Sequence, residues 1–169
     1  GQVHQSVMVD RLQVACPRCR DRRYPFQSVL TLGLYRDELR DAVIRMKQRS
    51  NEALALSMGV LAARVLKKPI SRLAPDVMAP VPTHWLKRMI RGTNGPDLLV
   101  EGMGSVLPFP TATALLYCRR RTQKQGTLMP SERPVNVRNA FAVNSGYDIR
   151  DAHVLLVDDI MTTGATASE

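Results

Sequence analysis

Three cysteines in 169 residues are too few, and of the wrong parity, to make a disulfide framework. No apolar run approaches the roughly 20 residues that span a bilayer, so membrane insertion is not expected. Residues 1–16 show no basic head followed by an apolar block, so no secretory signal is expected within them. There is no internal repeat and no low-complexity tract. Two nucleotide-binding patterns are missing as well: no G-x-x-x-x-G-K-[ST] and no G-x-G-x-x-G. The expectation is an intracellular, cytoplasmic protein. The chain begins at Gly1 rather than Met and stops at Glu169 inside a glycine turn. A piece of a longer protein is therefore expected, incomplete at its C-terminus.

Hydrophobic residues make up 44% of the chain and charged residues 23%, the balance of an ordinary globular protein. The length suits one domain with a buried core, plus a small appendage. The formal charge is +9, from 24 basic against 15 acidic residues, which favours polyanionic partners. Basic residues gather at Arg18 to Arg23, at Lys87, Arg88 and Arg91, and at Arg119, Arg120, Arg121 and Lys124. The first group reads as solvated surface charge.

Residues 1–28 are polar and aperiodic, so they read as a loop-rich appendage, with residues 29–169 as the main domain. Residues 29–35 alternate well enough for a strand. From Asp37 the pattern turns helical, with Leu39, Val43 and Met46 on one face. A second helix over about 52–67 places Leu54, Met58, Leu61, Ala62 and Val65 together, and Pro69 and Pro75 bound a connection. Residues 77–82 form a short apolar strand, and a helix near 96–107 carries Leu98, Leu99 and Val106. Residues 113–118 suit a buried strand ending in Cys118, expected in the core. A polar arm, Arg119 to Arg138, has no core periodicity and reads equally as a mobile lid or an exposed loop. Residues 140–143 look like a short strand and 153–157 like a fully buried one. Strands alternating with helices argue α/β.

The segment from Val154 to Thr166 carries the chemistry. A buried strand delivers Asp158 and Asp159 to its C-terminal end, where open α/β sheets bind ligands. Thr162, Thr163, Gly164, Ala165 and Thr166 then make a turn that opens a helix. Small residues and hydroxyls there let backbone N–H groups converge on an anion, with the helix dipole adding to the field. Gly164 stands where the backbone must approach a phosphate closely or take a positive φ. The acids would accept hydrogen bonds from vicinal hydroxyls while the turn grips a phosphate, which suits a sugar phosphate. A Walker B strand and a phosphate-accepting receiver domain share the acidic strand end. The first lacks its phosphate loop, and the second should open a domain with its acids rather than close one. A capped helix start explains the threonines but not the doubled Asp.

The run Asp158-Asp159-Ile-Met-Thr-Thr-Gly-Ala-Thr166 resembles the phosphoribosyl pyrophosphate (PRPP) signature of type I phosphoribosyltransferases. Pro80-Val-Pro82, Arg88 and Arg91-Gly92-Thr-Asn94 resemble a V-P-x…R-x-x-R-G-F-N-Q segment of the competence protein F (ComF) family. Thr93 and Gly95 stand where that pattern has Phe and Gln. Thr122, Gln125, Leu128, Glu132-Arg133, Asn136-Val137-Arg138 and Ala140-Phe141 resemble the family's arm, and Tyr35, Leu39-Arg40 and Lys47 its entry. The resemblance covers residues 16–169. It implies a type I phosphoribosyltransferase core, a mostly parallel sheet flanked by helices, truncated at its C-terminal end.

It also implies roles. Asp158 and Asp159 would hold the ribose hydroxyls, Thr162 to Thr166 the 5′-phosphate, and Mg²⁺ would bridge pyrophosphate and hydroxyls. Arg88, Arg91 and Gly92, just after an early strand, fit a second anion such as pyrophosphate; Lys87 reads equally as a basic helix exit. The activity implied is transfer of the phosphoribosyl group from PRPP to an acceptor such as an amine or nitrogenous base. The alternative is a non-catalytic accessory in DNA uptake or competence, binding single-stranded DNA or a partner protein. Cys16-Pro-Arg-Cys19 is half of a four-ligand Zn²⁺ knuckle. The resembled family carries another cysteine pair upstream. His4 reads as a third ligand or as an exposed side chain.

Overall fold

The computed structural model describes residues 24–83, 95–123 and 128–169. Helix α1 (Asp37–Arg45) is amphipathic, and Val43 and Met46 are buried as the periodicity predicts. After a 3-10 turn at Arg49–Asn51 comes α2 (Glu52–Leu73), six residues longer at its end than the sequence reading of 52–67. It runs through Pro69, whose missing N–H and ring clash cost a helix interior about 3 kcal/mol. Pro69 is fully buried beside Ile70, so core packing offsets that cost. Ala74 takes a left-handed conformation, its N–H returns to the Ile70 carbonyl at 3.1 Å, and Pro75 cannot continue the helix.

Strand β1 (Val77–Pro80) leads, across residues 84–94, to α3 (Gly95–Gly104). Helices α2 and α3 pack with their backbones in contact. A Cβ on Gly59 would lie 2.3 Å from the Leu99 carbonyl oxygen, and one on Gly102 would lie 2.2 Å from that of Leu56. This contact selects the buried face of α2. Ala55, Gly59, Ala63, Leu66 and Ile70 turn inward, whereas Leu61, expected in the core, is 46% exposed. Small residues win the inner face because they let the helices approach.

Strand β4 (Val154–Val157) pairs in parallel with β1, Val77 opposite Val154 and Pro80 opposite Val157. Strands β2 (Leu116–Cys118) and β3 (Phe141–Val143) form an antiparallel pair, Cys118 opposite Phe141. The architecture is mixed α/β with a small parallel sheet. Cys118 is half-buried at the end of β2 rather than in the core, and its thiol meets the Arg120 carbonyl at 3.0 Å. Residues 29–35 form an irregular segment along a cavity rather than a strand. Strand β4, expected to be fully buried, is half-buried at all its positions because it borders that same cavity.

The arm between β2 and β3 contains α4 (Arg133–Val137), whose Val137 is buried, so it is more than an exposed loop. Helix α5 (Ala165–Ser168) follows the turn after β4. Met78, Val100, Met103 and Ile70 make the main core between α2, α3 and the parallel pair. Among the described residues no helix is long and apolar enough to cross a membrane.

Candidate functional site

The β1–β4 ladder continues past β1, with the Val81 N–H donating to the Val157 carbonyl at 2.8 Å. Asp158 and Asp159 therefore emerge side by side from the C-terminal end of the parallel pair. The two carboxylates meet different surroundings. Lys47, just beyond α1, places its Nζ 2.8 Å from Asp159 Oδ2, and only 16% of the Asp159 side chain is exposed. Gly95, at the start of α3, borders the same carboxylate; a Cβ there would lie 3.8 Å from Oδ2.

Asp158 has no such cation at contact distance among the described residues. Its Oδ1 accepts the Asp159 N–H at 2.8 Å. Loss of hydration, then the neighbouring charge of Asp159, push its carboxyl up to about 7, against the opposing pull of the Asp159 N–H and Lys47. The residue keeps accessible surface where it borders the cavity, while protein crowds its other sides. That accessible surface leaves the group open to solvent screening, which works against the rise.

The turn that follows is shaped by Gly164, which adopts φ 75°, ψ 2°. The positive φ expected at this glycine is present. A Cβ would meet Met161 Cε at 3.0 Å and Tyr24 Cε1 at 3.1 Å, so the glycine is enclosed from beneath. Tyr24 stacks on Phe26 with centroids 4.8 Å apart and donates its hydroxyl to the Thr163 carbonyl at 3.3 Å. Gln27 reaches His153 Nε2 at 2.9 Å. Residues 24–27, part of the appendage in the sequence reading, thus brace the turn and the start of β4. Thr163 Oγ1 accepts the Ala165 N–H at 3.4 Å.

Asp158, Asp159, Thr162, Gly164, Ala165 and Thr166 all line one cavity of about 810 Å³. That is ample for a small metabolite. Carboxylates that accept hydroxyl donors and a turn that offers N–H and O–H donors therefore face a common space. Arg88, Arg91 and Gly92 lie outside the described residues, as do Cys16 and Cys19. Among the described residues no three His, Cys, Asp or Glu side chains cluster as metal ligands.

Two contributors carried no assigned role in the sequence. Lys47 comes from the end of α1. Arg133 comes from the arm, where its Nη1 donates to Thr162 Oγ1 at 2.7 Å across 29 residues. Both fall on positions within the ComF resemblance, which was the available signal, but nothing in their spacing connects them to the acid pair.

Curated relatives match most of the chain. Competence protein F of Haemophilus influenzae is 27% identical over 158 residues, 91% of this chain and 69% of that protein. DNA utilization protein YhgH of Escherichia coli is 30% identical over 158 residues, covering 91% of this chain and 68% of its own length. The chain belongs to the ComF family. YhgH of Salmonella typhi matches at 29% over 157 residues, so the ComF likeness extends across several bacterial sources. No family model and no solved structure matches the chain.

Proposed function

We propose that this ComF member is an accessory protein of DNA uptake or use that binds a sugar phosphate of the PRPP class on a type I phosphoribosyltransferase-like core. The shared cavity wall of Asp158, Asp159, Thr162, Gly164, Ala165 and Thr166 carries the proposal. Ribose offers vicinal hydroxyls as donors to the acids, and a 5′-phosphate offers oxygens to the turn. The DNA role is supported by the relatives' names and by charge. Arg64, Lys67, Lys68 and Arg72 lie exposed along one face of α2, in no ion pair among the described residues. Such a stripe suits a phosphate backbone, and a cytoplasmic location goes with it.

Mg²⁺ fits as a companion of the ligand. Two carboxylates, one already tied to Lys47, do not build a protein cage, whereas Mg²⁺ readily keeps water and phosphate oxygens. When bound it would neutralise pyrophosphate, assisted by Arg88 and Arg91, with the Gly92 backbone on the same side. Zn²⁺ at Cys16 and Cys19 would require two further ligands for a closed site.

A second reading is phosphoribosyl transfer to a nitrogen acceptor with release of pyrophosphate. Asp158 favours it, because a carboxyl pushed up to about 7 is matched to proton uptake near neutral pH. Positioning and electrostatics would supply the rest, without a covalent residue.

Calorimetry with PRPP and Mg²⁺ tests the site. The double variant Asp158→Asn, Asp159→Asn should bind at least roughly tenfold more weakly, since neutral amides accept hydrogen bonds less strongly. Unchanged affinity would sink the sugar-phosphate assignment. Anisotropy of a labelled single-stranded oligonucleotide tests the DNA role, with affinity expected to fall steeply as salt rises. Pyrophosphate release on addition of nitrogen bases would separate transferase from accessory.

A further inference from the structure

We infer that Arg133 is a positioning residue of the phosphate turn, fixing the Thr162 hydroxyl as a donor toward a phosphate monoester and tying occupancy of the turn to the arm. The inference rests on the sugar-phosphate reading of the turn. Arg133 opens α4 and is half-buried. It forms no ion pair among the described residues, so its charge stands uncompensated beside the turn. Its Nη1 donates to Thr162 Oγ1 at 2.7 Å and its Nη2 to the Leu128 carbonyl at 3.4 Å. Its Nε is buried and has no hydrogen-bond partner among the described residues.

A guanidinium placed this way is costly unless an anion comes near it. A threonine hydroxyl has a single proton to donate. With Arg133 occupying an acceptor position on Thr162 Oγ1, that proton is left for another acceptor. A phosphate oxygen in the cavity that Thr162 lines is the matching one. Hydrogen bonds in series polarise one another, so the guanidinium strengthens the hydroxyl as a donor. It also supplies a full positive charge beside the turn.

The arm is built to hold Arg133 in place. Arg120 donates to the carbonyls of Asn136 and Arg138, each at 3.1 Å. Asn136 and Gln123 exchange hydrogen bonds of 2.9 and 3.1 Å. A ligand on Thr162 therefore meets an arm that is already organised around that contact.

Calorimetry with ribose 5-phosphate and hydrogen exchange across residues 128–138 test the inference on the purified chain. Arg133→Ala and Thr162→Val should each weaken ribose 5-phosphate at least about tenfold, with the double variant little worse than either, as coupled residues behave. Arg133→Lys should recover much of the loss. Ribose 5-phosphate should slow exchange in the arm of the wild type and leave the arm of Arg133→Ala unchanged. Thr162 lies on an exposed turn, so its variant keeps the test decisive if Arg133→Ala fails to fold. If the wild type binds ribose 5-phosphate and both single variants bind it equally well, Arg133 has no such role while the sugar-phosphate reading stands. A wild type that binds neither ribose 5-phosphate nor PRPP overturns both.

Discussion

The α2–α3 contact and the turn after β4 are both built around glycine, with opposite consequences. Between the helices, Gly59 and Gly102 bring the two backbones together, and the buried neighbours Ala55, Ala63 and Leu66 complete an apolar seam. At the turn, Gly164 takes a left-handed backbone, beside a guanidinium with no carboxylate partner among the described residues and a carboxyl pushed up to about 7. The seam gains stability from what it excludes. The turn instead gathers charged and polar groups around a backbone conformation that glycine adopts without strain.

The largest expected effect breaks the seam. Gly59→Val puts a Cβ 2.3 Å from the Leu99 carbonyl oxygen, and neither backbone can yield without parting the helices. Overpacking at a well-fitted site costs about 1–3 kcal/mol, and a backbone collision belongs at or beyond the upper end. The variant should be recovered unfolded or with its melting transition lowered by ten degrees or more, roughly. A wild-type transition would show that the helices can separate freely.

Gly164→Val comes next and probes both halves of the comparison. Positive φ in a β-branched residue costs of order 1–3 kcal/mol, and the new side chain also meets Met161 and Tyr24. Because the glycine is enclosed by those side chains, stability should fall together with sugar-phosphate binding. Thermal denaturation and PRPP calorimetry check it. Lost binding with an unchanged melting temperature would mean that the rings of Tyr24 and Phe26 do not support the turn.

Lys47→Met should have a smaller effect, about 1 kcal/mol, because the lysine is 36% exposed and its ion pair is partly screened. Its electrostatic signature is sharper than its stability effect. Lys47 pulls the Asp158 carboxyl down, so removing it should move that carboxyl further above its present value of about 7. Carboxyl carbon NMR titration reads this directly. No upward movement would place the lysine outside the field of the acid pair.

How far the sequence revealed the molecule follows the same division. The acid pair, the glycine turn and the α1 face of Val43 and Met46 were legible, because each is a local pattern within one element. The buried face of α2 was legible in part. Leu54, Met58 and Val65 pack against the core as the periodicity predicts, but Leu61 does not. The approach of α3 places Ala55, Gly59 and Ala63 innermost for their size. Pro69 looked like a stop, yet its burial among core residues carried the helix onward to Leu73. Residues 29–35 alternate like a strand but have no ladder partner among the described residues. Lys47 and Arg133 reach the site only through tertiary contact, and polar residues in a polar stretch announce nothing of where they will point.

The smallest effect concerns the neighbouring carboxyl and has a defined pH window. The Asp158 carboxyl is raised from 3.8 to about 7 in the folded chain by burial first and by Asp159 second. Between those values the folded state holds a proton that the unfolded state has released, so stability falls as pH rises through the window. Below it both states are protonated and the group contributes nothing; above it both are ionised and the full penalty applies. Asp158→Asn removes the penalty while keeping the shape. Its melting temperature should match the wild type near pH 4, draw ahead between about pH 4 and 7, and keep a constant lead above that. Because solvent screens the group, the lead should stay within about 1 kcal/mol, roughly 3 °C for a chain of this size. The same substitution should weaken PRPP binding, so that at pH 8 one variant gains stability and loses affinity. A variant less stable than the wild type at pH 8 would mean that Asp158 is held by favourable contacts in its ionised form. The contrast between an apolar seam and a turn that holds a destabilised carboxyl would then fail at Asp158.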